Sequence, residues 1–503
     1  MTTDREASEG AGAPAMPSAA ELNRQAWAAA GQWGLAGSMT ELETLMWRSE
    51  RHPELSSTIV ALMLLDTTPE WDRLWAAHEW AVGLIRRTRE RVQEPMVPVG
   101  PPVWVEDDHF ELANHLRRAT LDAVKEHRDD LPALLAYAEG FALAPLNRRR
   151  PLWEAVLVEG LAGGGAAYLL KLHHSVTDGL GGIQLLSLVQ SRTREHTADK
   201  PASRAGSSPP EVNPAVLFTR QLASRVGQAP QMLVRSLKFG GTVLSDPLRA
   251  GQQAVRFTAS LRRTMPPPPA PPSPLLRGRK GRNWRFAVLE CEFRRLRAAA
   301  KAAGGSVNDA YIAALLGGLR LYHERHGTPV ESLPMAMPVS LRRGDDPMGG
   351  NKFAGALLAG PVGVTDPMER IAVIRGIVLT LRTEPALDSF GLFAPWVNLL
   401  PAAVGAAAWR LGSAADMSAS NVPGLPYASY LAGAKVERVF PFGPLPGVAI
   451  MVAMTTHAGT CCFGFNVDGD AVQDLSVLME CFGAGLDEVL AIADGSAARR
   501  SDP

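Results

Sequence analysis

The chain has 503 residues, with 51 Lys+Arg against 51 Asp+Glu for a formal net charge of zero; 46% of its residues are hydrophobic and 20% charged. That balance suits a globular protein of two to four domains, or one large two-lobed unit, and gives no global pull toward nucleic acid. Cys291, Cys461, Cys462 and Cys481 form no C-x-x-C pair and are expected as reduced thiols of a cytosolic protein.

The opening "MTTDREASEGAGAPAMPSAAE" lacks an apolar h-region and is not expected to be a secretory signal. Residues 1–38 read as a flexible extension with a helical stretch at "AAELNRQAWAAAG", and ordered structure is expected from Met39. "STIVALMLLD" reads as a buried strand, and "EWDRLWAAHEWAVGLIRR" has helical spacing. A strand, a turn and a second strand follow in "PVWVEDDHFELANHLRRATL", then a helix in "DLPALLAYAEGFALAPLN". "PLWEAVLVEG", "LAGGG" and "AAYLLKL" make a hairpin, after which come the loop "HHSVTDG" and a helix, "LGGIQLLSLVQSRT".

Residues 192–282 read as a linker and a basic helical connection, closed by the stiff "PPPPAPPSP" and by "RGRKGRNWR". The basic residues suit either a solvated face or contact with anionic lipid or ligand phosphates. From 283 to 494 a second α/β half is expected: strands at "RFAVLECEF", "LPMAMPVSL", "FAGALLAGPV", "GVAIMVAMTTHAG" and "CCFGFNVDGD", with helices between and after them. The helix "SVNDAYIAALLGGLRLYHERHG" has Ser306 or Asn308 as its cap, and its "HERH" reads as a solvated helix end. Residues 495–503 read as a flexible tail. The apolar segment Phe390–Trp409 is about long enough to span a bilayer, but Pro395, Asn398 and Pro401 interrupt it, so it is expected to be buried or to face lipid. The protein is thus expected to be soluble or peripherally bound to a membrane.

The chemistry concentrates in His173, His174, Asp178 and Gly179. Neighbouring side chains on a strand point to opposite faces, so one histidine should face a reaction and the other should pack. A neutral imidazole takes a proton near pH 7. Asp178 is either a buried anchor or a partner of the imidazole, and Gly179 lets backbone approach a ligand. There is no second cluster with metal-ligand spacing, no G-x-S-x-G elbow and no phosphate loop. What remains is a general-base histidine that deprotonates a bound hydroxyl, which attacks an activated acyl group directly.

"HHSVTDG" resembles the HHxxxDG motif of the CoA-dependent acyltransferase superfamily. Within it, "PLWE", "GGSVNDAYIAALLGGLR", "MPVSLR", "GGNKFAGALLAGP", "SNVPGLPYASYLAGAKV" and "FPFGPLPGVAI" are similar to stretches of the bacterial wax ester synthase/diacylglycerol acyltransferase family, over roughly Met39 to Ala493. The resemblance implies an α/β fold of two chloramphenicol-acetyltransferase-like lobes, residues 39–191 and 283–494, around a central tunnel. It implies that His174 is the general base, and that the acyl group passes from acyl-CoA to diacylglycerol or a long-chain alcohol. It further implies no cofactor beyond acyl-CoA as co-substrate, no metal, no nucleic acid, and a cytoplasmic protein on the inner face of the membrane or on lipid droplets. His173 and Asp178 complete the implied catalytic set, with Asp178 paired to an arginine, Arg89 or Arg91 by analogy. Asn308 and Asp309 would support the tunnel, although Asn308 equally suits a plain helix cap. The Trp of "PLWE" should pack. Thr456-His457 departs from the family's frequent Ser-Tyr. Two competing readings are a free-standing condensation-type acyltransferase using a carrier-bound donor, and a non-enzymatic lipid-droplet coat protein.

Overall fold

The computed structural model describes residues 27–28, 30–31, 33, 37–97, 100–121, 130–195, 213–223, 270–340, 350–351, 353–382 and 415–501. The apolar segment 390–409 and most of the basic stretch after 223 lie outside them. In the first half the order is α1 (Glu41–Ser49), β1 (Thr58–Leu65), α2 (Trp71–Leu84), β2 (Glu90–Gln93), β3 (Val103–Glu106), β4 (Leu116–Thr120), α3 (Leu131–Leu143), β5 (Trp153–Glu159), β6 (Ala166–His173), α4 (Gly179–Val189) and β7 (Gln190–Ser191). The second half runs β8 (Trp284–Glu292), α5 (Phe293–Ala302), α6 (Val307–Arg325), β9 (Leu333–Ser340), β10 (Phe353–Gly360), α7 (Pro367–Arg382), β11 (Met417–Leu425), β12 (Tyr430–Leu431), β13 (Ala434–Phe442), β14 (Ile450–His457), β15 (Thr460–Asp468) and α8 (Leu475–Ser501).

Among the described residues, one sheet has seven strands in the order β4-β5-β6-β1-β13-β12-β7, and a second has six in the order β10-β9-β11-β14-β15-β8. The first sheet therefore takes β12 and β13 from the second half of the chain. β13 runs antiparallel beside β1, with Val60 opposite Phe442, and β6 runs antiparallel on the other side of β1, with Thr58 opposite His173. Flanked on both sides and covered on both faces, β6 buries all eight of its residues, which is why "AAYLLKL" reads as a nearly unbroken apolar run. Between the sheets lies a shared apolar cluster that includes Leu62, Leu169, Phe286 and Phe442. Phe286 and Phe442 stack with centroids 4.0 Å apart.

The helix starts follow local hydrogen bonding. Thr40 and Glu43 form a capping box on α1, and Ser306 and Asp309 form one on α6, so Ser306 rather than Asn308 is the α6 cap. The "HERH" expectation is corrected for its first histidine. His323 is fully buried, because Ser273, where the proline-rich linker enters the second half, places its hydroxyl 2.7 Å from His323 Nε2. The chain end also departs from expectation. α8 runs past residue 494 to Ser501, and no proline interrupts it before Pro503. Among the described residues no helix is long and apolar enough to cross a membrane.

α6 and α8 approach closely through Gly318 and Gly485. A Cβ on Gly485 would lie 2.3 Å from the Gly318 nitrogen and 2.6 Å from the Ala314 carbonyl, both backbone atoms that cannot swing aside. Gly485→Ala is expected to cost about 1–3 kcal/mol through overpacking. Thermal melting followed by circular dichroism should show a lowered Tm; an unchanged Tm would contradict this packing.

Candidate active site

The strand alternation resolves at the end of β6. His173 is its last residue and turns inward, 0% exposed. The Ser175 amide donates to His173 Nδ1 at 3.0 Å, and the Ser175 hydroxyl lies 2.6 Å from the same nitrogen. The ring's Nε2 faces Glu50 Oε2 at 3.0 Å, and Trp47 meets the ring edge-on. Burial alone would raise the Glu50 carboxyl. The His173 ring, the Ser57 amide and the Arg148 guanidinium outweigh that and hold it at about 2. His173 is thus an anchor that ties β6 to the end of α1.

His174 begins the turn and is half-buried. Its amide donates to the Ser57 carbonyl at 2.8 Å, and its carbonyl accepts from Asn351 Nδ2 at 2.7 Å. Asn351 Nδ2 also lies 3.3 Å from Glu43 Oε1. With two acceptors before its NH2 group, the amide has one sensible orientation, which turns Oδ1 to His174 Nδ1 at 2.9 Å. An amide oxygen only accepts, so Nδ1 carries the proton and Nε2 holds the lone pair. Burial lowers the His174 pKa below its ordinary value, partly offset by the bond to Asn351, by a bond to its own main-chain carbonyl and by the nearby Asp178 carboxylate. These contacts favour a neutral ring with its lone pair on Nε2.

Asp178 caps α4, accepting from the Gly181 amide at 3.0 Å, which is the anchoring role. Of the two arginines that analogy offers it, Arg89 lies 3.8 Å from Glu106, and Arg91 stands on β2 opposite Val105. Thr177 bridges to Gly350, and the Asp178 amide donates to the Gly350 carbonyl at 3.3 Å. The motif loop is thereby joined to the second half of the chain. At Gly179 the space a Cβ would occupy is filled by Val422 of β11, with 2.7 Å to its Cγ2. Along α4, a crevice between the halves is lined by Ile183, Leu186, Leu425, Val439 and Thr455. His457, in the departing Thr-His pair, also lines it and is held by the Val436 carbonyl 2.9 Å from Nε2.

Asn308 and Asp309 stand apart from this loop, at the start of α6. The Asp309 carboxylate accepts from the Ser306 amide at 2.7 Å and lies 3.7 Å from Arg375, and the Asn308 amide lies 3.7 Å from the Met337 sulfur. Trp153 of "PLWE" packs as expected, 5% exposed, with its indole donating to the Thr88 carbonyl at 2.8 Å. Sequence reasoning missed Asn351, Glu43 and Glu50. The available signals were the polar Asn351 after two glycines in "GGNKF" and the two acids of α1, one of which reads simply as a cap.

Two sheets sharing a core, with an HHxxxDG loop clasped between the halves, define the fold of the CoA-dependent acyltransferases and condensation domains. The chain matches the wax ester synthase/diacylglycerol acyltransferase catalytic domain over residues 39–311 and the WS/DGAT C-terminal domain over residues 349–489. It belongs to that family and is an acyltransferase. A Mycobacterium tuberculosis protein provisionally named a diacylglycerol O-acyltransferase is 39% identical over 476 residues, covering 92% of this chain and 94% of its own. The fold is shared with the wax ester synthase/diacylglycerol acyltransferase of Marinobacter aquaeolei VT8 (21% identity, 87% of this chain and 95% of that one, TM-score 0.56). It is shared too with the first condensation domain of the calcium-dependent antibiotic synthetase (17% identity, 91% and 96%, TM-score 0.57).

The Glu50 pairing gives a stability test. A carboxyl held at about 2, against 4.5 ordinarily, stabilises the fold above pH 4.5 and loses that contribution as pH falls toward 2. Glu50→Gln should cost on the order of 2–3 kcal/mol at pH 7. In urea melts the gap from wild type should shrink between pH 4.5 and 2; equal stabilities at pH 7 would contradict the pairing.

Proposed function

We propose that the protein transfers a long-chain acyl group from acyl-CoA to the hydroxyl of diacylglycerol, and also to long-chain alcohols, with His174 as general base. The observation that carries this reading is the Asn351 Oδ1 contact 2.9 Å from His174 Nδ1, which leaves Nε2 as the basic atom. Nε2 takes the hydroxyl proton as the acceptor oxygen attacks the thioester carbonyl carbon. The tetrahedral intermediate collapses with cleavage of the C–S bond, and the departing sulfur takes the proton back from Nε2. The products are an ester and free CoA, and the histidine ends as it began. His173 and Asp178 hold the base in place without exchanging protons, and Asn308 and Asp309 support the second half beside the substrate path. No cofactor or metal is needed for this balance. Lipid substrates place the enzyme at the cytoplasmic face of a membrane or on a lipid droplet.

His174→Ala should lower transfer by about 10²–10⁴-fold while circular dichroism stays that of the wild type. Wild-type turnover in that variant would overturn the mechanism. Assays pairing acyl-CoA with diacylglycerol, and carrier-bound acyl with an amine, separate this reading from a condensation-type enzyme.

The same base sets a pH profile. It must be neutral to act, and burial lowers its pKa. The acid limb of the rate profile should have its midpoint below about pH 6.5, the ordinary imidazole value. A midpoint above about pH 7 would contradict the neutral, buried base.

A further inference from the structure

We infer that Asn351, itself oriented by Glu43, is the positioning residue of the reaction: its side-chain amide grips both the ring and the main chain of His174 and so selects the nitrogen that acts as base. This rests on His174 being the base. Four contacts carry it. Asn351 Oδ1 meets His174 Nδ1 at 2.9 Å, and Asn351 Nδ2 meets the His174 carbonyl at 2.7 Å. Nδ2 also faces Glu43 Oε1 at 3.3 Å, while the other Glu43 oxygen accepts from the Thr40 amide at 2.8 Å. Asn351 is 7% exposed, so water competes little for these bonds.

The charge logic follows. When Nε2 takes the acceptor's proton the ring becomes imidazolium, and its Nδ1–H already points at a carbonyl-type oxygen. That bond becomes charge-assisted without any group moving. The Glu43 carboxylate, on the far side of the amide, polarises it in the stabilising direction. An amide does not accept the Nδ1 proton, so the proton on Nε2 stays available for the departing sulfur. Among the described residues, the charged or titratable groups near the ring include Asp178 and His173 on its own segment, with Glu50 of α1 beyond His173. Asn351, His174 and α1 come from three distant parts of the sequence, so the base is set only when the two halves of the chain are assembled.

The test uses the full-length protein with palmitoyl-CoA and dioleoylglycerol, measuring kcat, KM and the pH–rate profile. Asn351→Leu, close in size but without polar atoms, should lower kcat by about 10²-fold, within the range for a mis-set acid–base residue, with KM nearly unchanged. Asn351→Asp should recover much of the rate and move the acid midpoint of the profile upward, because a carboxylate beside the ring favours imidazolium. Glu43→Gln should lower kcat less than Asn351→Leu does. Wild-type kcat in Asn351→Leu, or an unmoved midpoint in Asn351→Asp, would overturn the inference. If Asn351→Leu does not fold, the midpoint in Asn351→Asp decides. His174→Ala run in parallel separates the two failures: an inactive His174→Ala beside a fully active Asn351→Leu refutes only the positioning role, whereas an active His174→Ala refutes the base itself.

Discussion

The site depends on how the chain leaves β6. Its last residue, His173, is held inside the first half, and the next, His174, has its main chain bound from both directions, by the Ser57 carbonyl and by the Asn351 amide. A strand that simply continued would send the two rings to opposite faces of a sheet. Ending the strand between them makes one an anchor and leaves the other for the proposed role of base. The glycines and the Asp178 cap then start α4 directly after the turn, and α4 carries the apolar wall of the crevice.

Both histidines are served from one short helix. Glu43 and Glu50 stand two turns apart on α1 and its C-cap, hence on the same side of the helix. Glu50 reaches His173 directly, and Glu43 reaches His174 through Asn351. The difference suits the two roles. A carboxylate facing Nε2 takes that nitrogen's hydrogen bond, which fits a packed anchor; the same direct contact on His174 would favour imidazolium and hinder a base that must start neutral. An amide between carboxylate and ring fixes the orientation while weakening that pull.

Much of this is legible in the amino-acid sequence. The hairpin that delivers the motif, the buried strands and both capping signatures follow from local pattern and chemistry, and the packed Trp153 follows from its residue type. Contacts of long sequence separation are not legible. Nothing in "KVERVFPF" indicates that β13 will lie beside β1, more than 370 residues earlier in the chain, or that two-residue strands β7 and β12 will extend that edge. Asn351 leaves only a faint trace, because a polar residue after two glycines reads as a loop until its partners are known. Glu43 is visible as a cap, and its second oxygen's task is not. His323 departs from expectation because its position at a helix end suggests solvent, whereas the linker's Ser273 closes over it. Analogy offers Arg89 or Arg91 to Asp178, and the short β2–β3 ribbon sets Glu106 beside Arg89.

The central claim is that His174 is neutral, with its proton on Nδ1 and its lone pair on Nε2. Nitrogen NMR of the protein labelled with 15N in the histidine rings, with His174 assigned by substitution, reads this directly. At neutral pH the account predicts a bonded proton at Nδ1 and a bare, pyridine-like Nε2. A proton on Nε2, or a ring doubly protonated at pH 7, would contradict it.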